Sequence, residues 1–164
     1  MKALVTGGSG FIGSHTADAL SKKGHKVTIL DKETSPWLKK DQKMIIGNMM
    51  DQDILNSSMK DIDYIYYFAG IADIEEAKSD PYETIELNIM GLTKALGAAV
   101  KNNIKKFIYA STMYVYSSHG SFYRASKQAA EIIIETYQET YGIEFVFLRY
   151  GSLYGPREIG RAHV

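Results

Sequence analysis

Lys2 to Thr6 is a short apolar run that breaks off in Thr6-Gly7-Gly8-Ser9-Gly10-Phe11-Ile12-Gly13, and a helical pattern begins at Phe11. A strand that turns on glycines straight into a helix opens a βα unit, and the helix N-terminus faces the strand end. The unpaired N–H groups and the helix dipole there favour a negative charge. Gly7 permits the turn, Gly10 removes a Cβ that would keep the backbone from a phosphate oxygen, and Gly13 lets the helix lie close on the sheet. With Phe11 and Ile12 they form a candidate cradle for a dinucleotide pyrophosphate. A tight βα turn without a ligand is the alternative, and Asp31 weighs against it. This acid ends the next strand eighteen positions after Gly13, near the roughly 20-residue offset at which a carboxylate accepts ribose hydroxyls. A carboxylate there repels a 2′-phosphate, so the expected cofactor is NAD rather than NADP. The neighbouring Lys32 weakens that inference slightly.

The rest of the chain repeats the alternation of branched or aromatic apolar runs with longer helical patterns. That is the pattern of an α/β fold, a Rossmann-type doubly wound parallel sheet with helices on both faces. Strands are expected at Lys2 to Thr6, Lys26 to Leu30, Met44 to Ile46, Tyr64 to Phe68, Lys105 to Ala110 and Glu144 to Arg149. Helices are expected from Phe11 to about Lys23, from near Asp51, from Asp80-Pro81 to about Asn102, and through Tyr123 and Lys127 to about Tyr141. Asn48 and Met49 follow the third strand, where they either contact an adenine or form a simple turn. Trp37, in a polar loop, either covers an edge of the cofactor pocket or has no such role.

With 164 residues, 45% of them hydrophobic, the chain can bury one core and reads as a single soluble domain. Its 19 basic and 19 acidic residues cancel, so neither a nucleic acid nor a membrane surface is an expected partner. Small molecules are. The absence of cysteine removes disulfides, thiolate metal sites and thiol nucleophiles, and fits a reducing cytoplasm. His15, His25, His119 and His163 are too scattered for a metal, so none is expected. The start lacks a basic leader and reads as mature.

Tyr123 and Lys127 lie four apart in Tyr123-Arg124-Ala125-Ser126-Lys127, one face of a helix. An ammonium beside the phenol would favour the phenolate. The alternative is a surface pair on a helix whose apolar face is Ala129, Ile132, Ile133 and Tyr137. Taken with Thr6 to Gly13, Asp31, Phe68-Ala69-Gly70, Asn88, Ser111-Thr112 with Tyr114-Val115-Tyr116, and Arg149-Tyr150 with Gly155-Pro156, the chain resembles the extended short-chain dehydrogenase/reductases over residues 1 to 157. Within them it is similar to the NAD-dependent sugar-nucleotide epimerase/dehydratase family, of which UDP-glucose 4-epimerase is the best-known member. The resemblance implies an enzyme on a nucleotide sugar, with Tyr123 as acid/base, Lys127 on the nicotinamide ribose, and Thr112 on the reacting sugar oxygen. It also implies Phe68, Ala69, Gly70 and Asn88 around the cofactor, Tyr150 and Ser152 toward the sugar, and a homodimer through the helices containing Asn88 and Tyr123.

Three departures from the family pattern bear on specificity. Only Ser117 to Phe122 separate the Tyr-Val-Tyr stretch from Tyr123, Thr112-Met113-Tyr114 stands where the dehydratase branch has Thr-Asp-Glu, and Ser152 replaces an asparagine. Loss of the acid pair disfavours dehydration, leaving 4-epimerisation or a related reduction as the expected reaction. A dinucleotide-binding fragment without turnover is the second expectation, because relatives carry a further C-terminal portion. The last residues, Glu158 to Val164, have no periodic pattern and match what a common sequencing adapter encodes in one frame. They are expected to be a non-native tail, with the natural reading frame continuing beyond Arg157.

Overall fold

The computed structural model of the protein describes residues 1–158. Of the expected tail, only Glu158 falls among them. Six strands, β1 (Lys2–Thr6), β2 (Lys26–Asp31), β3 (Gln42–Ile46), β4 (Tyr64–Tyr67), β5 (Lys106–Thr112) and β6 (Glu144–Tyr150), form one sheet in the order β3-β2-β1-β4-β5-β6. Every pairing is parallel. That is the doubly wound order, and the crossovers reverse direction between β1 and β4, which opens a crevice at the C-terminal ends of those strands.

The alternation along β1 sorts the core into two layers. Ala3 and Val5 pack with Ala17 and Leu20 of α1 (Phe11–Lys22) and with Val27 and Ile29 of β2. Leu4, one residue out of phase, packs on the other face beneath α2 (Gln52–Ser58), α5 (Leu92–Lys101) and α6 (Ser121–Tyr141). Asp51 caps α2 by accepting from Asp53 N and Ile54 N, and Asp80 caps α4 (Pro81–Ile85) by accepting from Glu83 N with proline in the first turn. No helix among the described residues is long and apolar enough to cross a membrane.

Four features depart from the sequence expectation. A short helix α3 (Ile74–Ser79), capped by Asp73, precedes α4. The helix expected to run unbroken from Pro81 is interrupted by a π turn at Glu86–Gly91 before α5 begins. Strand β5 runs on through Thr112 and β6 through Tyr150, and a 3₁₀ turn (Met113–Tyr116) follows β5. Finally, the inner face of α6 is Ser126, Lys127, Ala130, Glu131 and Ile134, whereas Ile132 is 64% exposed. Lys127 and Glu131 join Ala130 and Ile134 in the buried stripe because they find partners on β5 and β6, while of the expected apolar face Ile133 and Tyr137 still pack on the core.

Candidate functional site

The glycine turn closes tightly under the crevice. Gly7 has φ of 69°, and a Cβ on it would stand 2.8 Å from the Ala69 amide nitrogen. A Cβ on Gly13 would enter the space of the Gly7 carbonyl oxygen, so α1 can rest on the turn only if this residue is glycine. Gly10 differs: a Cβ there would meet only Gly7 O, at 3.4 Å, and would otherwise project into open space. Gly10 caps α1 without a side-chain bond, and no acid lies in the first turn through Phe11, Ile12 and Gly13. The positive end of α1 is therefore left to an outside anion. Ser9 N donates to Asp31 Oδ2 at 2.9 Å, so the carboxylate is held at the rim of the same turn.

On the β4 side, Ala69 N donates to Thr6 Oγ1 at 3.5 Å. Phe68 packs against the α1-side core, and Gly70 has no room for a Cβ beside the Asn88 amide. Asn88, implied by the family resemblance to support the active-site helix and border the cofactor, with a solvent-facing position as the alternative, is only 2% exposed. Its Oδ1 accepts from Ile71 N at 2.8 Å, while Nδ2 donates to Ile71 O and to Ser126 Oγ, each at 3.0 Å. The π turn that carries it thus fastens the end of β4 to α6. Asn48 is exposed, and its Oδ1 accepts from Met50 N at 2.8 Å, as in the turn alternative. The Met49 sulfur receives the Tyr67 hydroxyl at 3.8 Å.

Tyr123, Lys127 and Thr112 come together at the C-terminal end of β5. Lys127 is 7% exposed, its Nζ donates to Ala110 O at 2.9 Å and it lies 4.7 Å from the Tyr109 ring centroid. Burial pulls its pKa down to about 8. The amine stands 5.7 Å from the centroid of the Tyr123 ring. The phenol itself is pushed above its ordinary range by burial, against a hydrogen bond with the Thr112 side chain that favours the phenolate and a contribution from Tyr114 that opposes it. The sequence expected the amine to do the lowering; the cause that acts in that direction here is the Thr112 side chain. Tyr114 packs edge-on to Tyr123, with centroids 6.4 Å apart.

Tyr150 ends β6, directly opposite Thr112 in the ladder, and Ser152 follows in an exposed segment. That segment then passes over α1. His15 Nε2 lies 2.8 Å from Pro156 O, and Phe11 lies against Gly155. Arg157 donates to Asp18 Oδ2 at 2.8 Å, with its guanidinium carbon 4.9 Å from the Trp37 ring centroid. Burial raises the Asp18 carboxyl, but hydrogen bonds from Lys39, Arg157 and Gln42 outweigh it and hold the pKa below the usual range. Trp37 is thus engaged in anchoring the segment after β6. Sequence reasoning named Ser126 and Tyr114 only as members of their motifs, and it missed Glu131. Glu131 did leave a signal, since it continues the four-residue spacing from Tyr123 and Lys127.

Residues 3–164 match the NAD dependent epimerase/dehydratase family. The chain is 29% identical to UDP-glucose 4-epimerase of Halalkalibacterium halodurans, over 98% of its own length and 53% of that protein. It is 31% identical to UDP-N-acetyl-alpha-D-glucosaminuronate decarboxylase of Bacillus cytotoxicus, over 95% of its length and 56% of the relative. Among solved structures, Thermus thermophilus UDP-glucose 4-epimerase in complex with NAD superposes with a TM-score of 0.91 at 29% identity, covering 99% of this chain and 59% of that one. The chain therefore spans about half the length of the curated relatives it matches.

Proposed function

The chain belongs to the NAD dependent epimerase/dehydratase family, and on that footing we propose that residues 1–157 are the NAD-holding part of an enzyme that epimerises a nucleotide sugar at C4. The observation that carries this reading is the meeting of Tyr123, Thr112 and Lys127 beside the crevice on whose floor the glycine turn lies. The open space at Gly10 and the uncapped first turn of α1 suit a pyrophosphate at Gly7, Gly10, Phe11, Ile12 and Gly13. Asp31 takes the adenosine ribose hydroxyls, Asn48 and Met49 border the adenine, and Phe68, Ala69 and Gly70 line the middle of the site with Asn88 behind them. The relative from Thermus thermophilus is a complex with NAD, and the carboxylate of Asp31 favours that cofactor over NADP.

NAD, when bound, supplies reversible hydride acceptance, so that a sugar carbon is oxidised and then reduced on its other face. The protein handles the proton. Tyr123 takes it from the sugar hydroxyl as hydride leaves and returns it afterwards, Thr112 holds the reacting oxygen, and Lys127 grips the nicotinamide ribose. A buried phenol is a poor base, and the hydrogen bond with Thr112 acts in the required direction. Met113 and Tyr114 offer no carboxylate to expel a hydroxyl, which disfavours dehydration. Tyr150 and Ser152 border the sugar. A homodimer through α4, the π turn, α5 and α6 suits the outward Tyr82, Met90 and Ile132, which are 79%, 51% and 64% exposed.

The half-length match supports a second reading for these 164 residues alone: a dinucleotide-binding unit without turnover. Calorimetric titration with NAD and with UDP-glucose separately distinguishes the two. Binding of NAD alone is expected. Turnover of a UDP-sugar would reject the second reading, and failure to bind NAD would reject both.

A further inference from the structure

Tyr123, Lys127 and Glu131 form one stripe on α6, and each meets a different member of the consecutive trio Ala110, Ser111 and Thr112 on β5. The Thr112 side chain draws down the pKa of Tyr123 against its burial, Lys127 Nζ donates to Ala110 O at 2.9 Å, and Glu131 Oε1 accepts from Ser111 Oγ at 2.5 Å. The first two contacts belong to the proposed site. The third lies one helical turn beneath it and is reinforced from β6, where Arg149 stands opposite Ser111 in the ladder. Arg149 Nε donates to Oε1 at 2.9 Å and Nη2 to Oε2 at 2.8 Å. Its guanidinium carbon lies 5.0 Å from the Tyr116 ring centroid and 5.5 Å from that of Phe147.

We propose that Glu131 and Arg149 are positioning residues, a two-pronged lock that fixes the axial register of α6 against β5 and so holds Tyr123 on Thr112 and Lys127 at the nicotinamide end of the crevice. The proposal rests on the reading of those three residues given above. Stability alone does not account for the pair. Glu131 is 8% exposed, but Arg149 is open to solvent on its outer side, and a pair with one partner in contact with water contributes little net stability. Ala130 and Ile134 beside it, both fully buried, already supply apolar anchorage. What apolar contacts lack is direction: they tolerate a small slide of the helix, whereas a paired guanidinium–carboxylate contact has fixed distances and planes. One residue of helix rises about 1.5 Å, so a slide of a fraction of a residue shifts the phenol relative to Thr112 by a distance at which positioning errors are costly.

The test compares Glu131→Gln, Arg149→Lys and, as a control, Ile134→Val in the 164-residue protein. Calorimetry gives the affinities for NAD and for ADP, which reports only the adenosine and pyrophosphate end, and thermal melts give stability. Both network variants should bind NAD about tenfold more weakly, a change of the size produced by losing one well-aligned hydrogen bond, with ADP affinity unchanged. Ile134→Val should lower the melting temperature and leave both affinities alone. Parallel weakening of NAD and ADP, unchanged NAD affinity in folded variants, or failure of both network variants to fold would assign the pair to general stability and overturn the proposal. A wild type that binds ADP but not NAD would sink the cofactor reading itself, and the lock with it.

Discussion

A lysine amine shut away from water destabilises a fold at neutral pH. Lys127 is such a group: burial brings its pKa to about 8, from an ordinary 10.5. Below pH 8 both folded and unfolded chains hold the proton and the full penalty is present. Between pH 8 and 10.5 the unfolded chain holds more protons, so rising pH relieves the penalty and stability increases. The shift corresponds to roughly 3 kcal/mol, offset in part by the hydrogen bond to Ala110 O, worth about 1 kcal/mol. Lys127→Met should therefore be more stable than wild type by about 1–2 kcal/mol at pH 7, with the advantage shrinking by pH 10. Urea melts at the two pH values check this, and a variant less stable at pH 7 would contradict it. The four-residue spacing from Tyr123 showed in the sequence because helical periodicity is local. The part of Thr112 in lowering the phenol's pKa did not, because it depends on how α6 settles on β5.

The π turn between α4 and α5 exists because a helix has to present one side chain to two neighbours at once. Asn88 satisfies both backbone groups of Ile71 and also reaches Ser126 Oγ, which in turn donates to Tyr123 O. Widened turns of this kind recur where a helix carries a functional residue. Asn88→Ala would leave the Ile71 N–H and C=O buried without partners, at a cost of about 2–4 kcal/mol. A loss below about 1 kcal/mol in denaturant melts would show that water or a local shift replaces the amide. Strands β1, β2 and β4 were legible to within a residue, since each is a dense apolar run between turn residues. The π turn was not, because its cause lies 17 residues away in sequence. Helix α3 was missed because IEEAKS buries only Ala77 and carries no apolar period to read.

Two exposed apolar surfaces make different demands on the whole molecule. On the helical side, Tyr82, Met90 and Ile132 project outward from neighbouring helices. On the sheet, Phe145 and Phe147 of the edge strand β6 join the core beneath α6, so Val146, pointing to the opposite face, is left 38% exposed. The α1-side core reaches only to Tyr66 and Phe68, which leaves that face of β6 without a helix over it among the described residues. A helix face pairs with its own copy about a two-fold axis and then closes, whereas an open sheet face at an edge strand invites indefinite association. Sedimentation velocity should therefore find a dimer that Ile132→Glu converts to monomer, because the charge would be buried twice in a symmetric contact. Val146→Lys should leave the dimer intact and suppress only larger species. If Val146→Lys, and not Ile132→Glu, abolished the dimer, the two faces would exchange roles and the association would run through the sheet.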